Sequence, residues 1–267
     1  MDHKIKPRAI KFTFSDHIDK HWFGNDPFKT HWLNSYTLII PEGEKFIHRS
    51  TKRYLGQMDS NLKEQILGLL SQEILHSKEH ERFFGHLYHH GYKIDGYLRQ
   101  YNFLLYRVLE PFFRLLFGPK ILLSTAAGLE HINAFIAEIG LSENFLSDAH
   151  PDVRALFEWH YAEEIEHKSV VFDVLKSVDH SYFLRAAGMA FATFTFFGAL
   201  SAGTMMLLFQ DRKLHNKNVL KEAINFFFFK QKFFFKFVTV CRDYLAPTFH
   251  PTQRDNFHLA AKVFERL

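Results

Sequence analysis

Cysteine, glycine and proline are all scarce in this sequence. The chain of 267 residues has a single cysteine, Cys241, which excludes an intramolecular disulfide framework and is typical of a reducing compartment. With only 13 glycines and 8 prolines, long stretches contain neither residue. Such stretches favour helices over a series of short strands and turns, so we expect an all-α protein.

A large excess of one charge and a signal sequence are also missing. The chain has 33 Lys and Arg against 29 Asp and Glu, a formal net charge of +4, so nucleic acid is not an expected partner. The N-terminal stretch MDHKIKPRAIKFTF is basic but has no apolar run long enough for a signal peptide. We therefore expect a protein in the cytoplasm or facing it.

The few glycines and prolines divide the chain into predicted helices. Residues 1–34 are aromatic and irregular, which indicates an N-terminal arm. Pro41 suits a first helical turn, so the first helix is predicted to begin at about Glu42 or slightly earlier. No repeat or linker interrupts the chain before residue 180, and residues 35–180 are predicted to form one helical bundle. The other helices of this bundle are predicted at 61–90, 97–117, 120–139 and 151–177.

One of these helices combines titratable side chains with an apolar run, in the sequence FEWHYAEEIEHKSVVFDVL. At about 100° per residue, His160, Glu164 and His167 fall within about 60° of one another on one face. The valines that follow indicate that this face turns inward. Since buried carboxylates are costly unless they are paired or bind a cation, the pattern predicts metal binding.

A second helix repeats the same spacing. In LSQEILHSKEHERFF, Glu73 and His76 form another Glu-x-x-His pair. Two such pairs, with one further glutamate from each of two other helices, make the dinuclear site of a carboxylate-binding four-helix bundle. Glu130 lies among small and apolar residues, and Glu44 is the best acid on the first helix. The candidate metal ligands are Glu44, Glu73, His76, Glu130, His160, Glu164 and His167.

Several assignments remain open at these positions. A single Glu-x-x-His pair is common on solvated helices, where it takes part in ion pairs rather than in metal binding. Glu42 could replace Glu44, and Glu163, four residues before His167, could replace Glu164. Three further side chains are expected around the site or on the surface rather than among the ligands: Glu79, His80 and His131.

Five separated motifs together resemble a known family. The stretches PEGEKFIHRS, QEILHSKEH, AAGLEHINAFIAE, WHYAEEIEHKSVVFDVL and LAPTFHPTQRD lie between about Trp32 and Asp255. In this order they resemble bacterial proteins catalogued as predicted metal-dependent hydrolases, which look ferritin-like. The fold class expected from the helices and this resemblance is all-α, with a ferritin-like four-helix bundle core and extra hydrophobic C-terminal helices.

A more distant similarity concerns the chemistry. Di-iron N-oxygenases that act on arylamines have an extra histidine ligand four residues before the glutamate of their last Glu-x-x-His, and His160 occupies that position here. The similarity implies two metal ions, with iron expected and manganese or zinc as alternatives. We therefore expect an oxidase or oxygenase that activates dioxygen on a small, apolar substrate with an unidentified electron donor. The small residues Ala126, Ala127 and Gly128 are expected to leave space beside Glu130 for substrate or dioxygen.

Two different functions are also compatible with these residues. The same ligands could hold the metals of a hydrolase, in which a metal-activated water attacks an ester or an amide. The chain could also be a non-catalytic, membrane-bound iron-binding protein. No catalytic residue is predicted beyond the metal ligands.

The C-terminal part, residues 181–267, is predicted to be a hydrophobic and basic extension. Ala186 to Phe209 contains no charge and is long enough to span a bilayer. The stretch INFFFFKQKFFFKFVTV places Asn225, Lys232, Lys236 and Thr239 on one face of a predicted interfacial helix.

A single crossing would put this basic tail outside the cell, against the usual charge distribution. We therefore expect attachment to the cytoplasmic side of the inner membrane, which adds lipid-like molecules to the candidate substrates. Alternatively, these surfaces pack on the bundle or form a homodimer.

Overall fold

The prediction of an all-α protein is confirmed by the computed structural model, which describes residues 5–142 and 145–267. In these ranges there is no β-strand, only an isolated antiparallel bridge between Phe23 and Ala149.

The first six α-helices contain all the candidate ligands. A π-helix, Phe103–Leu109, joins the third helix to the fourth without a break. The helices are α1 Pro27–Lys52, α2 Ser60–His89, α3 Asp95–Asn102, α4 Glu110–Phe117, α5 Lys120–Ser142 and α6 Pro151–His167.

The remaining helices pack around this group. A second π-helix, Asn225–Phe229, follows the ninth helix. The helices are α7 Val170–Val178, α8 Tyr182–Gln210, α9 Lys217–Ile224, α10 Phe233–Leu245 and α11 Phe257–Phe264.

Helix α1 begins well before the predicted start near Glu42. Asp26 caps it, since its Oδ1 accepts hydrogen bonds from the backbone N–H of Phe28 (2.9 Å) and of Lys29 (3.2 Å). Pro41 lies inside the helix rather than at its start. The last aromatic residues of the predicted arm, Phe28 and Trp32, form one buried helical face with Tyr36 at a spacing of four.

Helix α8 packs closely along α5. A Cβ on Gly188 would lie 2.1 Å from Ser124 Oγ, and one on Gly128 would lie 2.9 Å from the Cβ of Ala192. The expectation that small residues of α5 leave space beside Glu130 is therefore wrong at Gly128, because α8 fills that side of the helix.

The predicted helix over 151–177 is interrupted between α6 and α7. At the interruption, Lys168 Nζ donates hydrogen bonds of 2.5 Å to the backbone oxygen of Arg254 and to Asn256 Oδ1. Arg254 in turn forms a bidentate pair with Glu138 of α5 (2.7 and 3.0 Å). The C-terminal segment is therefore fastened to the bundle beside the last ligand-bearing turn of α6.

The predicted amphipathic helix around residues 225–239 is wrong as a continuous element. Lys232 has a φ of 51°, and the chain turns there between the π-helix and α10. The rings of Phe226 and Phe233 stack at 5.3 Å and are buried. Packing of these two phenylalanines therefore separates Asn225 from the remaining polar residues of the predicted face.

Among the described residues, α8 is the one helix that by itself is long and apolar enough to cross a bilayer. Of its most apolar window, 39% is buried inside the protein. A bent pair, Asp95–Phe117 with Lys120–Ser142, passes the same length and composition test as one broken span. A single such helix is weak support for a membrane location, since core helices have the same composition.

Candidate metal centre

All seven predicted ligands lie in one buried cluster between four helices. Helix α1 provides one side chain, α2 two, α5 one and α6 three. None of the seven residues is more than 1% exposed. They are Glu44, Glu73, His76, Glu130, His160, Glu164 and His167.

Four of these residues form a first donor group: Glu44, His76, His160 and Glu164. Each contributes one donor atom, and these four atoms all lie within 4.8 Å of one another. Glu44 Oε1 is 3.5 Å from His76 Nδ1 and 3.7 Å from His160 Nδ1. His76 Nδ1 is 3.8 Å from Glu164 Oε1. These four atoms are all buried without a hydrogen-bond partner.

A second group lies on the other side of Glu164. Its centre is His167 Nε2, which is 3.4 Å from Glu73 Oε1, 3.3 Å from Glu130 Oε2 and 3.3 Å from Glu164 Oε2. Glu164 therefore directs one oxygen to each group, which is the arrangement expected of a carboxylate that bridges two cations.

The chemistry of these donors fits bound cations. Both oxygens of Glu73 and both of Glu130 are buried without a hydrogen-bond donor. Burying carboxylates in this way is unfavourable unless positive charge accompanies them. The two groups contain four carboxylates, whose full charge two divalent cations would balance. The number and identity of the metals stay predictions.

When no cation is bound, protons on the carboxylates neutralise part of their negative charge. Burial raises the pKa of Glu44 to about 7 and that of Glu130 to about 8, and it raises the pKa of Glu73 well above its usual value. Burial alone would lower the pKa of His76, but its contacts with Glu163 and Glu44 raise this pKa to about 10. The cluster therefore attracts positive charge strongly.

Glu163 lies outside both groups and holds His76 in place. Its Oε2 is 3.0 Å from His76 Nε2, which leaves Nδ1 directed to the first group. Its Oε1 accepts a hydrogen bond from Arg8 Nη1 at 3.1 Å. Of these two neighbouring acids on α6, Glu164 therefore lies between the groups, whereas Glu163 has the supporting position that carboxylates often take behind metal-binding imidazoles.

His167 has a comparable support, which no pattern in the sequence indicates. Its Nδ1 is 2.9 Å from Gln72 Oε1, and Gln72 Nε2 donates to Glu166 Oε2 at 2.7 Å. Arg8 binds the same Glu166 through two hydrogen bonds of 2.9 and 3.0 Å. Neither Arg8 nor Gln72 belongs to a spacing pattern, so no signal in the sequence singled them out.

His80 and Tyr36 surround His160. The rings of His80 and His160 are 4.9 Å apart, and His80 Nδ1 lies 3.3 Å from Thr37 Oγ1. Tyr36 Oη donates to Asn133 Oδ1 at 3.3 Å and lies 3.4 Å from His160 Nε2. His80 therefore lies beside the cluster and belongs to neither donor group, and its role stays a prediction.

Glu79, His131 and Glu42 lie outside the cluster. Glu79 accepts a hydrogen bond of 3.0 Å from the backbone N–H of Phe12. His131 Nε2 is 3.2 Å from a backbone carbonyl of α10. Glu42 pairs with Lys45 at 2.8 Å on the surface, so Glu44 is the acid that α1 directs into the cluster.

The all-α fold and the buried cluster together define a helical protein with a candidate metal centre. A family model described as "Predicted metal-dependent hydrolase" matches residues 6–255. The chain therefore belongs to this family of predicted metal-dependent hydrolases, and the resemblance seen in the sequence motifs is confirmed. Searches of curated proteins and of solved structures found no match. The ferritin-like arrangement and the similarity to arylamine N-oxygenases accordingly stay predictions.

Proposed function

We propose that the chain is a metal-dependent hydrolase that cleaves an ester or an amide with water activated at the candidate centre. The observation that carries this proposal is the pair of buried donor groups that share Glu164, in a chain that belongs to a family of predicted metal-dependent hydrolases. Dioxygen chemistry, which the sequence motifs favoured, has no support in the comparisons.

The protein's own residues would hold and orient the reacting groups. Divalent cations bound here would supply Lewis acidity, which makes water a nucleophile near neutral pH. Glu163 and Gln72 fix the orientation of two imidazoles from behind. Burial raises the pKa of Tyr36 well above its usual value, so its phenol stays protonated and able to donate a hydrogen bond beside His160.

The number of protein ligands favours iron or manganese over zinc. Each group has four candidate side chains when Glu130 is included in the second. Four ligands would complete the tetrahedral coordination of zinc, whereas a catalytic zinc site keeps one position open. A cation that accepts five or six ligands, such as iron or manganese, would retain room for water and substrate.

Metal analysis and hydrolysis assays test the proposal directly. The purified protein, loaded separately with iron, manganese or zinc, is offered p-nitrophenyl esters and matching anilides. We expect turnover that needs the metal and is lost in Glu164→Gln. Two bound metals with no hydrolysis of any ester or amide, together with dioxygen uptake by the ferrous protein, would overturn the proposal.

Oxidation of an apolar substrate is the second candidate function. One observation favours it, which is that a cavity next to Glu44 is lined mainly by apolar side chains. Dioxygen enters apolar space readily, whereas the water needed for hydrolysis does not. Dioxygen uptake and a transient absorption band after ferrous protein is mixed with dioxygen would distinguish this candidate, which also needs an external electron donor.

We propose further that the chain attaches to the cytoplasmic face of a membrane through an exposed apolar surface, here called the outer surface. Its members on α4 include Leu115 (83% exposed), and those on α8 include Phe183 (84% exposed). The two helices adjoin where the rings of Phe113 and Phe191 stack at 3.7 Å. Exposed apolar surface of this kind supports contact with lipid or with a second copy of the chain.

A further inference from the structure

A narrow cavity of about 70 Å³, partly open to solvent, lies beside the candidate metal centre. Its walls come from α1, α5, α8 and the segment formed by α3, the first π-helix and α4. This volume is below the range of about 300–1,000 Å³ that is usual for drug-sized ligand sites. The cavity therefore suits a narrow, extended group rather than a bulky one.

The inner end of the cavity reaches the metal-binding residues. Glu44 lines it, and Oε1 of Glu44 is one of the unpaired atoms of the first donor group. Asn133 lines it as well and accepts the hydrogen bond of Tyr36, whose hydroxyl lies 3.4 Å from His160 Nε2. A molecule in the cavity would consequently have one end at the centre.

The hydroxyl groups along the walls are already satisfied by nearby backbone. Thr125 Oγ1 donates to the carbonyl of Ile121 (2.8 Å), and Thr195 Oγ1 donates to that of Phe191 (2.7 Å). Tyr106 Oη likewise donates to a carbonyl of α1 at 2.7 Å. These residues therefore present methyl groups or ring faces to the cavity, among leucine, isoleucine and phenylalanine side chains.

Of the residues that line the cavity, two are charged, Glu44 and Glu110. Glu44 and the amide of Asn133 adjoin the candidate metal centre. Glu110, another lining residue, accepts a hydrogen bond of 2.6 Å from Arg49. A ligand that matches this distribution has a reactive polar group next to Glu44 and a long apolar part along the walls.

The segment that covers the cavity is apolar on both sides. Leu105 and Phe113 face the cavity, whereas Phe103 and Leu115 are exposed on the opposite side. Part of this cover is the π-helix Phe103–Leu109, a conformation that is rare and is often found at functional sites. The cover therefore separates two apolar environments, the cavity and the outer surface.

We propose that this cavity binds the acyl chain, or a similar long apolar chain, of the substrate and places the scissile group next to Glu44. Cleavage of the bound substrate rests on the proposed hydrolase function, whereas binding of its apolar chain does not. The apolar chain could belong to a dissolved ester or to a membrane lipid, since both present the same apolar tail.

Gly43 offers a way to fill the cavity without a clash. It lines the cavity, and a Cβ built on it meets no atom within 4 Å. Gly43→Leu therefore adds methylene groups in the space assigned to the ligand. Gly85→Leu is the matched control, because Gly85 is also in a helix with no atom near its Cβ but is not among the lining residues. Leu105→Trp narrows the cavity from the covering segment.

The test measures binding of cis-parinaric acid, a fluorescent long-chain fatty acid, to the metal-loaded protein. We expect the dissociation constant to rise at least about 10-fold in Gly43→Leu and in Leu105→Trp, since each lost apolar methylene contact weakens binding roughly fourfold. It should not change in Gly85→Leu. Metal content equal to that of the unmodified protein shows that a variant has folded around its centre.

Hydrolysis assays then distinguish the cavity proposal from the proposed hydrolase function. They also distinguish a dissolved ester from a membrane lipid as the source of the apolar chain. Probe binding that the filled variants lose supports the cavity proposal even if no ester is cleaved. Absent binding, or binding unchanged in both filled variants, overturns it even if p-nitrophenyl acetate is hydrolysed. Cleavage of p-nitrophenyl laurate in solution indicates a dissolved substrate, whereas cleavage only of dilauroyl phosphatidylglycerol in vesicles indicates a membrane lipid.

Discussion

Glu164 is the side chain on which both donor groups depend. Replacing it by glutamine removes a negative charge and one oxygen donor from the position between the groups. We expect Glu164→Gln to hold at most one metal per chain and to bind it about 100-fold more weakly or worse, since even supporting residues contribute about 10- to 100-fold. Metal analysis after dialysis measures this.

The control for this variant is Glu158→Gln on the same helix. Glu158 pairs with Arg154 at 2.7 Å, away from the centre, so its metal content should not change. Two metals retained at full affinity in Glu164→Gln would show that the bridging position is wrong.

Metal affinity should rise with pH, because cations compete with protons for the same carboxylates. The pKa of Glu44 is raised from 4.5 to about 7 and that of Glu130 to about 8. In the metal-free protein this raised pKa contributes stability below about pH 4.5 that is lost as pH rises through about 7 to 8. The same deprotonation creates the ligands, so affinity should gain up to about tenfold per pH unit for each proton released.

Calorimetry in buffers of different ionisation enthalpy counts the released protons between about pH 6 and pH 8. The difference in melting temperature between metal-loaded and metal-free protein should widen over the same range. An affinity independent of pH would contradict the assignment of these two carboxylates as ligands.

At the level of single residues, the sequence predicted the candidate ligands that share one face of a helix through their spacing. Glu73 and His76 share a face by spacing alone, as do His160, Glu164 and His167, and the structure brings all five together. The support from Arg8 could not be predicted, because it depends on contacts across more than half of the chain.

The N-terminal arm acts on the centre through Arg8. This guanidinium reaches the fully buried Glu163 and also Glu166, and it lies over the ring of Phe264 at 3.4 Å. Arg8→Ala would leave a buried carboxylate without its cation. We expect a loss of about 2 kcal/mol in the free energy of unfolding, and metal binding about 10-fold weaker because His76 loses its orientation.

Urea unfolding and metal titration measure these two effects. The control is Lys11→Ala, since Lys11 lies on the same arm but is exposed. If Arg8→Ala lowered stability without changing metal affinity, the arm would have no influence on the centre.

The contact between α5 and α8 depends on Gly188. A methyl group there would overlap Ser124, including its backbone carbon at 2.5 Å. We expect Gly188→Ala to lower the free energy of unfolding by about 1–3 kcal/mol, because packed helices cannot absorb the extra volume. Thermal unfolding tests this.

For Gly198→Ala on the same helix we expect the opposite change in the free energy of unfolding. No atom lies within 4 Å of a Cβ at Gly198, so alanine should stabilise the helix by up to about 1 kcal/mol. A Gly188→Ala protein as stable as the unmodified one would mean that α8 does not pack against α5 in solution.

At the level of elements, the sequence predicted the helix ends that glycine marks, whereas Pro41, which was expected in a first turn, lies inside α1. Helix α2 ends next to His90 and Gly91, and the segment that covers the cavity ends at Gly118, as expected. The prediction was wrong where packing rather than local sequence decides. The chain turns at Lys232 where Phe226 and Phe233 both pack against Trp32 of α1, with ring centroids 5.1 and 5.4 Å away, a contact between distant parts of the sequence that periodicity does not contain.

For the whole molecule, the outer surface predicts association with vesicles. The double variant Leu115→Ser with Phe183→Ser should bind phosphatidylglycerol and phosphatidylethanolamine vesicles at least about 10-fold more weakly in flotation, because each side chain contributes up to about 2 kcal/mol on burial. Leu67→Ser with Ile74→Ser is the control, since these exposed residues lie on α2.

Gel filtration distinguishes a second copy of the chain from lipid as the partner of this surface. A dimer that the same double variant dissociates, without any flotation of the unmodified protein, would assign the outer surface to a second copy. A monomer that never floats would contradict both assignments.

The contacts of Arg8 have a consequence for biosynthesis. Its two carboxylate partners follow it by 155 and 158 positions in the chain. At about 5–20 residues per second, the arm waits on the order of 10 s after leaving the ribosome before those partners are made. Glu164 lies between those two partners in the sequence, so neither donor group can be complete before Arg8 has a carboxylate to bind. The last candidate ligands and the support from the arm therefore become available together, when synthesis reaches the end of α6.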